Sequence, residues 1–223
     1  MIKNNKLKAV IFDLDGVIID SEPIHHKVLN EILKDYSVVI EDEEYNTFIG
    51  TSNASLWKKI IDKYNLKLEV EDMCLLTLKN NFEYLKNNDV QPINGVINLL
   101  AQLKNNNILI GLASSSPLDS IELILSIFNI RTYFEVVVSG ESVAKSKPSP
   151  EIFLKTAKLL GVKPKNCVVI EDSKNGVTAA KSATMKCIGF KNKNSGNQDI
   201  SKADKIIACM TDATLELCIN IFE

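Results

Sequence analysis

Four short apolar runs, each ending in polar residues, constrain this chain more than any other feature. The first, Ala9-Val10-Ile11-Phe12, stops at Asp13; the others lie within residues 107–114, 133–139 and 167–172. Continuous rather than alternating apolarity suits strands buried on both faces of a parallel sheet. Residues 185–190 and 203–207 add two edge strands. Between these runs, residues 96–105, 120–128, 151–161 and 176–183 repeat apolar side chains at the three- and four-residue steps of a helix. The alternation predicts an α/β fold with a doubly wound parallel sheet, whose ligands bind at the strands' carboxyl ends. The polar ends of the runs then converge on one site.

Residues 18–90 break the alternation. Helical periodicity runs through 22–33, 52–64 and 71–85, with no strand pattern between them, and Pro92 follows the return to the sheet. The expected organisation is an α/β core of residues 1–17 and 91–223 carrying a helical insert of residues 18–90. A chain of 223 residues is long enough for both. Residues 191–201 are polar enough to read as a surface loop.

At the rim of the predicted sheet, Asp13 and Asp15 stand two residues apart, just before Gly16. Two carboxylates leaving an apolar strand repel each other unless a cation or hydrogen bonds compensate, although the same residues also make an ordinary turn. A second acidic pair, Glu171-Asp172, ends another run and belongs to the same rim; Asp172-Ser173 is also a candidate helix N-cap. Carboxylates at this density are hard oxygen ligands suited to Mg²⁺. Ser114, Ser115 and Ser116, where a strand gives way to a helix, offer hydroxyl and amide donors to an oxyanion. Lys147, before Pro148, brings a positive charge for phosphate, with Lys145 as the alternative.

Together these segments resemble the haloacid dehalogenase superfamily, in particular its β-phosphoglucomutase-like branch of phosphatases and phosphomutases. The resemblance rests on Asp13-Leu14-Asp15-Gly16-Val17, Ala113-Ser114-Ser115-Ser116, Ser146-Lys147-Pro148-Ser149-Pro150 and Val169-Ile170-Glu171-Asp172-Ser173, in that order. It implies that Asp13 attacks phosphorus and becomes transiently phosphorylated, while Asp15 serves as general acid and then base. Further implied are a Mg²⁺ cofactor held by Asp13, the carbonyl of Asp15, Glu171 and Asp172, a phosphoryl group held by Ser114 and Lys147, and a closing cap made by the insert. In that cap His25 matches a mutase histidine and Lys79 falls near a mutase lysine, whereas Asn53 stands where the mutases place an arginine. A neutral amide lacks the charge-assisted fork that would grip a second phosphate. The expected activity is therefore a Mg²⁺-dependent phosphatase of small phosphorylated metabolites such as sugar phosphates, with a β-phosphoglucomutase as the alternative.

Composition narrows the classes from the other side. A net charge of −2 and scattered lysines give no electrostatic footprint for nucleic acid. Five cysteines without a Cys-x-x-Cys pair read as buried free thiols. No apolar run reaches membrane-spanning length and no signal peptide is read, so the chain is expected to be cytoplasmic; a monomer is expected, with oligomeric state left open by the sequence.

Overall fold

A computed structural model describes residues 6–223. Its helices are α1 (Glu22–Leu33), α2 (Asp42–Tyr45), α3 (Asn53–Tyr64), α4 (Val70–Asn87), α5 (Val96–Asn105), α6 (Leu118–Ile127), α7 (Glu151–Leu159), α8 (Lys174–Ser182) and α9 (Leu215–Asn220). The strands are β1 (Ala9–Phe12), β2 (Leu109–Ser114), β3 (Val136–Ser139), β4 (Cys167–Glu171), β5 (Lys186–Phe190) and β6 (Lys205–Ile207). They form one parallel sheet in the order β3-β2-β1-β4-β5-β6. This is the doubly wound α/β arrangement expected from the alternation.

The register explains why the site is where it is. Phe12 lies level with Leu112 on one side and Ile170 on the other, so the next residue of each strand, Asp13, Ala113 and Glu171, emerges together. Ser114 pairs with Ser139 one step further out. Odd-numbered residues of β1 and β4 (Ala9, Ile11, Cys167, Val169) pack with Ile152 and Phe153 of α7 and Val177 and Ala180 of α8. Their even-numbered neighbours, Val10, Phe12, Val168 and Ile170, point to the opposite face and are equally buried. There the ring of Phe12 meets Phe134 edge-on, with centroids 6.2 Å apart. With both faces covered, the central strands have no polar position until their carboxyl ends.

The chain divides into two compact units, Met1–Asp20 with Gln91–Glu223, and Ser21–Val90. Ile18 and Ile19, counted with the insert from sequence, are buried and tied to the sheet-bearing unit. Ile93 N donates to Ile18 O at 2.8 Å, and Gly16 N donates to Ile19 O at 2.7 Å. Tyr133, where the third apolar run begins, instead closes a 3₁₀ turn (Arg131–Tyr133), and β3 starts only at Val136. Cys167, Cys187 and Cys218 are buried free thiols, but Cys209 is exposed. Among the described residues no helix is long and apolar enough to cross a membrane.

The unit Ser21–Val90 has its own core of Leu29, Leu33, Trp57, Ile60 and Met73, contributed by α1, α3 and α4. Trp57 is fully buried and needs a partner for its indole N–H, which it donates to Thr77 Oγ1 at 2.8 Å; Thr77 in turn donates to Met73 O. Thr77→Val leaves that N–H without an acceptor and should cost about 1–3 kcal/mol of this unit's stability. Because Trp57 is the sole tryptophan, urea denaturation followed by its fluorescence reads the loss directly as a lowered midpoint.

Candidate active site

Lys147 organises the acidic rim. Its ammonium donates to Asp13 Oδ1 at 2.6 Å, Glu171 Oε1 at 2.6 Å and Ala113 O at 3.2 Å, which occupies all three of its donors. Its side chain and both carboxylates are buried. Asp13 is further fixed by its backbone N–H, which donates to Ile170 O at 3.0 Å.

Both oxygens of Glu171 are hydrogen-bonded. Its Oε2 accepts from Ser173 N at 2.8 Å and Ser173 Oγ at 2.9 Å, and Ser173 Oγ accepts Gly176 N, capping α8. The N-cap reading of this segment therefore holds at Ser173, and α8 begins at Lys174, two residues earlier than the start expected at Gly176. Gly176 is required by the carboxylate: a Cβ there would lie 1.7 Å from Glu171 Oε1. Asp172, the next residue, accepts a hydrogen bond at Oδ2 from Ser195 Oγ.

Asp13, Glu171 and Asp172 each offer an oxygen, and these lie within 4.8 Å of one another. One ammonium does not balance them. Burial, with smaller contributions from Glu171 and Asp15, raises the Asp13 carboxyl to about 7 even against Lys147. Burial, followed by the charges of Glu171 and Asp13, also pushes Asp172 well above the usual carboxylate range. On Lys147 burial opposes the charged form, but Asp13 and Glu171 prevail and hold it protonated. A buried, oxygen-only donor set with surplus negative charge fits a hard divalent cation.

Asp15 is half-buried and turned toward the serine segment. Ser116 Oγ donates to its Oδ2 at 2.6 Å, Ser114 Oγ lies 3.5 Å from the same oxygen, and Ser114 Oγ accepts Ser116 N at 3.0 Å. Ser114 and Ser116 thus meet Asp15, while Ser115 is exposed with its backbone against Gly140. Lys145 is also exposed, and its N–H is held by Glu151 Oε2 at 3.0 Å. His25, on α1, and Asn53 and Lys79, both exposed on α3 and α4, belong to the unit Ser21–Val90.

The segment read as a surface loop is only partly one. Asn192 and Ser195 are buried; Asn192 Nδ2 donates to Gly16 O at 3.0 Å and to Asp20 Oδ1 at 3.3 Å. At these two positions the polarity serves hydrogen bonds inside the protein, whereas Lys191, Lys193, Asn197 and Asp199 are exposed. Neither Asn192 nor Ser195 carries a local signal in sequence. The position of the loop at the carboxyl end of β5 was the one available hint, since the loops at that edge converge.

With this geometry, the chain belongs to the haloacid dehalogenase-like hydrolase family, whose sequence model matches residues 10–190. It is 34% identical over 220 residues to the β-phosphoglucomutase of Bacillus subtilis (strain 168), covering 95% of this chain and 93% of that one. With hexitol phosphatase B of Escherichia coli (strain K12) it shares 32% identity over 192 residues, 82% and 83% of the two chains. The crystal structure of β-phosphoglucomutase from Clostridium difficile superposes with a TM-score of 0.79 at 28% identity, covering 97% of each chain.

Two predictions follow from the acidic cluster. A metal takes the ionised carboxylate, so protons compete with it and divalent-ion affinity should rise with pH up to about 7 and level off once Asp13 is ionised. The metal-free chain should show the opposite trend. Its Asp13 carboxyl is raised from 3.8 to about 7, so stability is greatest where Asp13 is protonated and falls as pH climbs through that interval. Thermal melts across pH with and without MgCl₂ measure both. Separately, Gly176→Ala must displace Glu171 and with it one anchor of Lys147. We expect a loss of about 2 kcal/mol or more, in the range of a broken buried network, by chemical denaturation.

Proposed function

We propose that this chain is a Mg²⁺-dependent phosphatase of small phosphorylated metabolites, sugar phosphates foremost, acting through an aspartyl-phosphate at Asp13. The observation that carries the reading is Asp13 Oδ1 bonded at 2.6 Å to a buried ammonium, with Glu171 and Asp172 beside it and Asp15 two residues on. A carboxylate in that setting is ionised when a cation is bound, and it is fixed rather than free to turn. Relatives named as a hexitol phosphatase and, at 32% identity, a phosphorylated carbohydrates phosphatase support the substrate class.

In this mechanism an Asp13 oxygen attacks phosphorus, forming a P–O bond as the bond to the sugar oxygen breaks. Asp15, held by Ser116, gives a proton to that leaving oxygen. Water then attacks the aspartyl-phosphate while Asp15 takes its proton, which restores Asp13 and releases phosphate. Ser114 and Lys147 are assigned to the phosphoryl oxygens. Mg²⁺, held by Asp13, Asp172 and the Asp15 carbonyl, with Glu171 contributing directly or through water, would neutralise charge on the transferring group. Substrate choice is assigned to the insert, with His25, Asn53 and Lys79 as contact residues.

A second reading, a β-phosphoglucomutase that returns the phosphoryl group to sugar, is favoured by the 34% identity to that enzyme. Against it stands Asn53, where a mutase would use an arginine. Incubation with β-glucose 1-phosphate, a trace of the bisphosphate and MgCl₂ separates the two: free phosphate is expected, and efficient formation of glucose 6-phosphate would overturn the phosphatase reading. In a screen of phosphorylated metabolites, Asp15→Asn should lower kcat by about 10²–10⁴-fold. Asp13→Asn should abolish turnover and any acid-stable phosphoenzyme.

A further inference from the structure

We propose that Ser195 is a positioning residue for Asp172, and that the 191–195 loop is a brace which sets the geometry of the metal site. The inference rests on the reading of Asp172 as a metal ligand. Ser195 is buried, and its hydroxyl donates to Asp172 Oδ2, so one oxygen of that carboxylate is taken and its rotation is arrested. The other oxygen is left for the cation. An outer hydrogen bond of this kind orients a ligand before the metal arrives.

The rest of the loop holds the neighbouring turn. Asn192 Nδ2 donates to Gly16 O and to Asp20, and Asn194 Nδ2 donates to Asp20 Oδ2. The loop is itself anchored: Lys191 N donates to Ile207 O at 2.8 Å, Asn192 Oδ1 accepts Asn194 N at 2.9 Å, and Ser195 N donates to Asn192 O at 3.3 Å. Gly16 is the point where the two halves press together. A Cβ there would fall 1.9 Å from Asp172 Oδ2 and 2.8 Å from Ser195 Oγ, and its φ of +74° already favours glycine. One short loop therefore bears on the turn that carries Asp13 and Asp15 and on Asp172, although these lie on different strands.

The test compares wild type, Ser195→Ala and Ser195→Thr by Mn²⁺ and Mg²⁺ titration of the metal-free proteins, with calorimetry as readout, and by kinetics over a range of metal concentrations. Ser195→Ala should weaken metal binding by about 10–100-fold. Its kcat should largely recover at saturating metal, and Ser195→Thr, which keeps the hydroxyl, should bind within a few-fold of wild type. A Ser195→Ala protein that binds metal as tightly as wild type overturns the positioning role while leaving the catalytic reading intact. A wild-type chain that binds neither ion overturns both. Should the alanine variant not fold, Ser195→Cys fills the same volume with a weak donor and is expected to lose affinity in the same direction; unchanged affinity there again overturns the proposal.

Discussion

The ammonium of Lys147 between Asp13 and Glu171 is the interaction on which the rest of the site depends. Three carboxylates within a buried volume are costly, and a single positive charge in contact with two of them makes the arrangement tolerable without making it neutral. The residual imbalance appears as the raised Asp13 and Asp172 carboxyls. Such a donor set fits a divalent ion, which would relieve the same repulsion.

Such a site is sustained by the sheet beneath it. The central strands are covered on both faces, so their first exposed polar positions come at the carboxyl ends, and the parallel register delivers those ends side by side. Each acidic side chain is then held by a different device: Lys147 for Asp13, the Ser173 cap for Glu171, Ser195 for Asp172 and Ser116 for Asp15. Two glycines make room for them. Gly176 accommodates Glu171 at the start of α8, and Gly16 lets the Asp13–Asp15 turn lie against Asp172. Hydrogen bonds from separate elements thus fix each of these carboxylates in place.

Much of this was legible before any coordinate. Apolar runs ending in Asp13, Ser114 and Glu171 announced both the strands and the rim, because a strand buried on two faces leaves an unbroken hydrophobic signal. The helical insert was legible for a related reason, through the change of period from strand-like to helical. Less was visible at the edges. Ile18 and Ile19 read as insert because they follow the turn, yet their backbone bonds and burial tie them to the sheet-bearing unit. In the serine triplet the sequence could not separate Ser115, which is exposed, from Ser116, which meets Asp15, since neighbouring residues of a turn point in different directions.

The contrast is sharpest at residues 191–195. By itself the sequence determined the sheet, the acidic pairs at its rim and the membership of a phosphoryl-transfer lineage, because those properties follow from local patterns of burial and from short motifs. Only the tertiary structure decided that Asn192 and Ser195 turn inward. Their partners, Gly16, Asp20 and Asp172, lie 176, 172 and 23 residues away in the chain. A polar side chain is written the same way whether it faces water or a buried carboxylate, and only the folded path of the chain distinguishes the two.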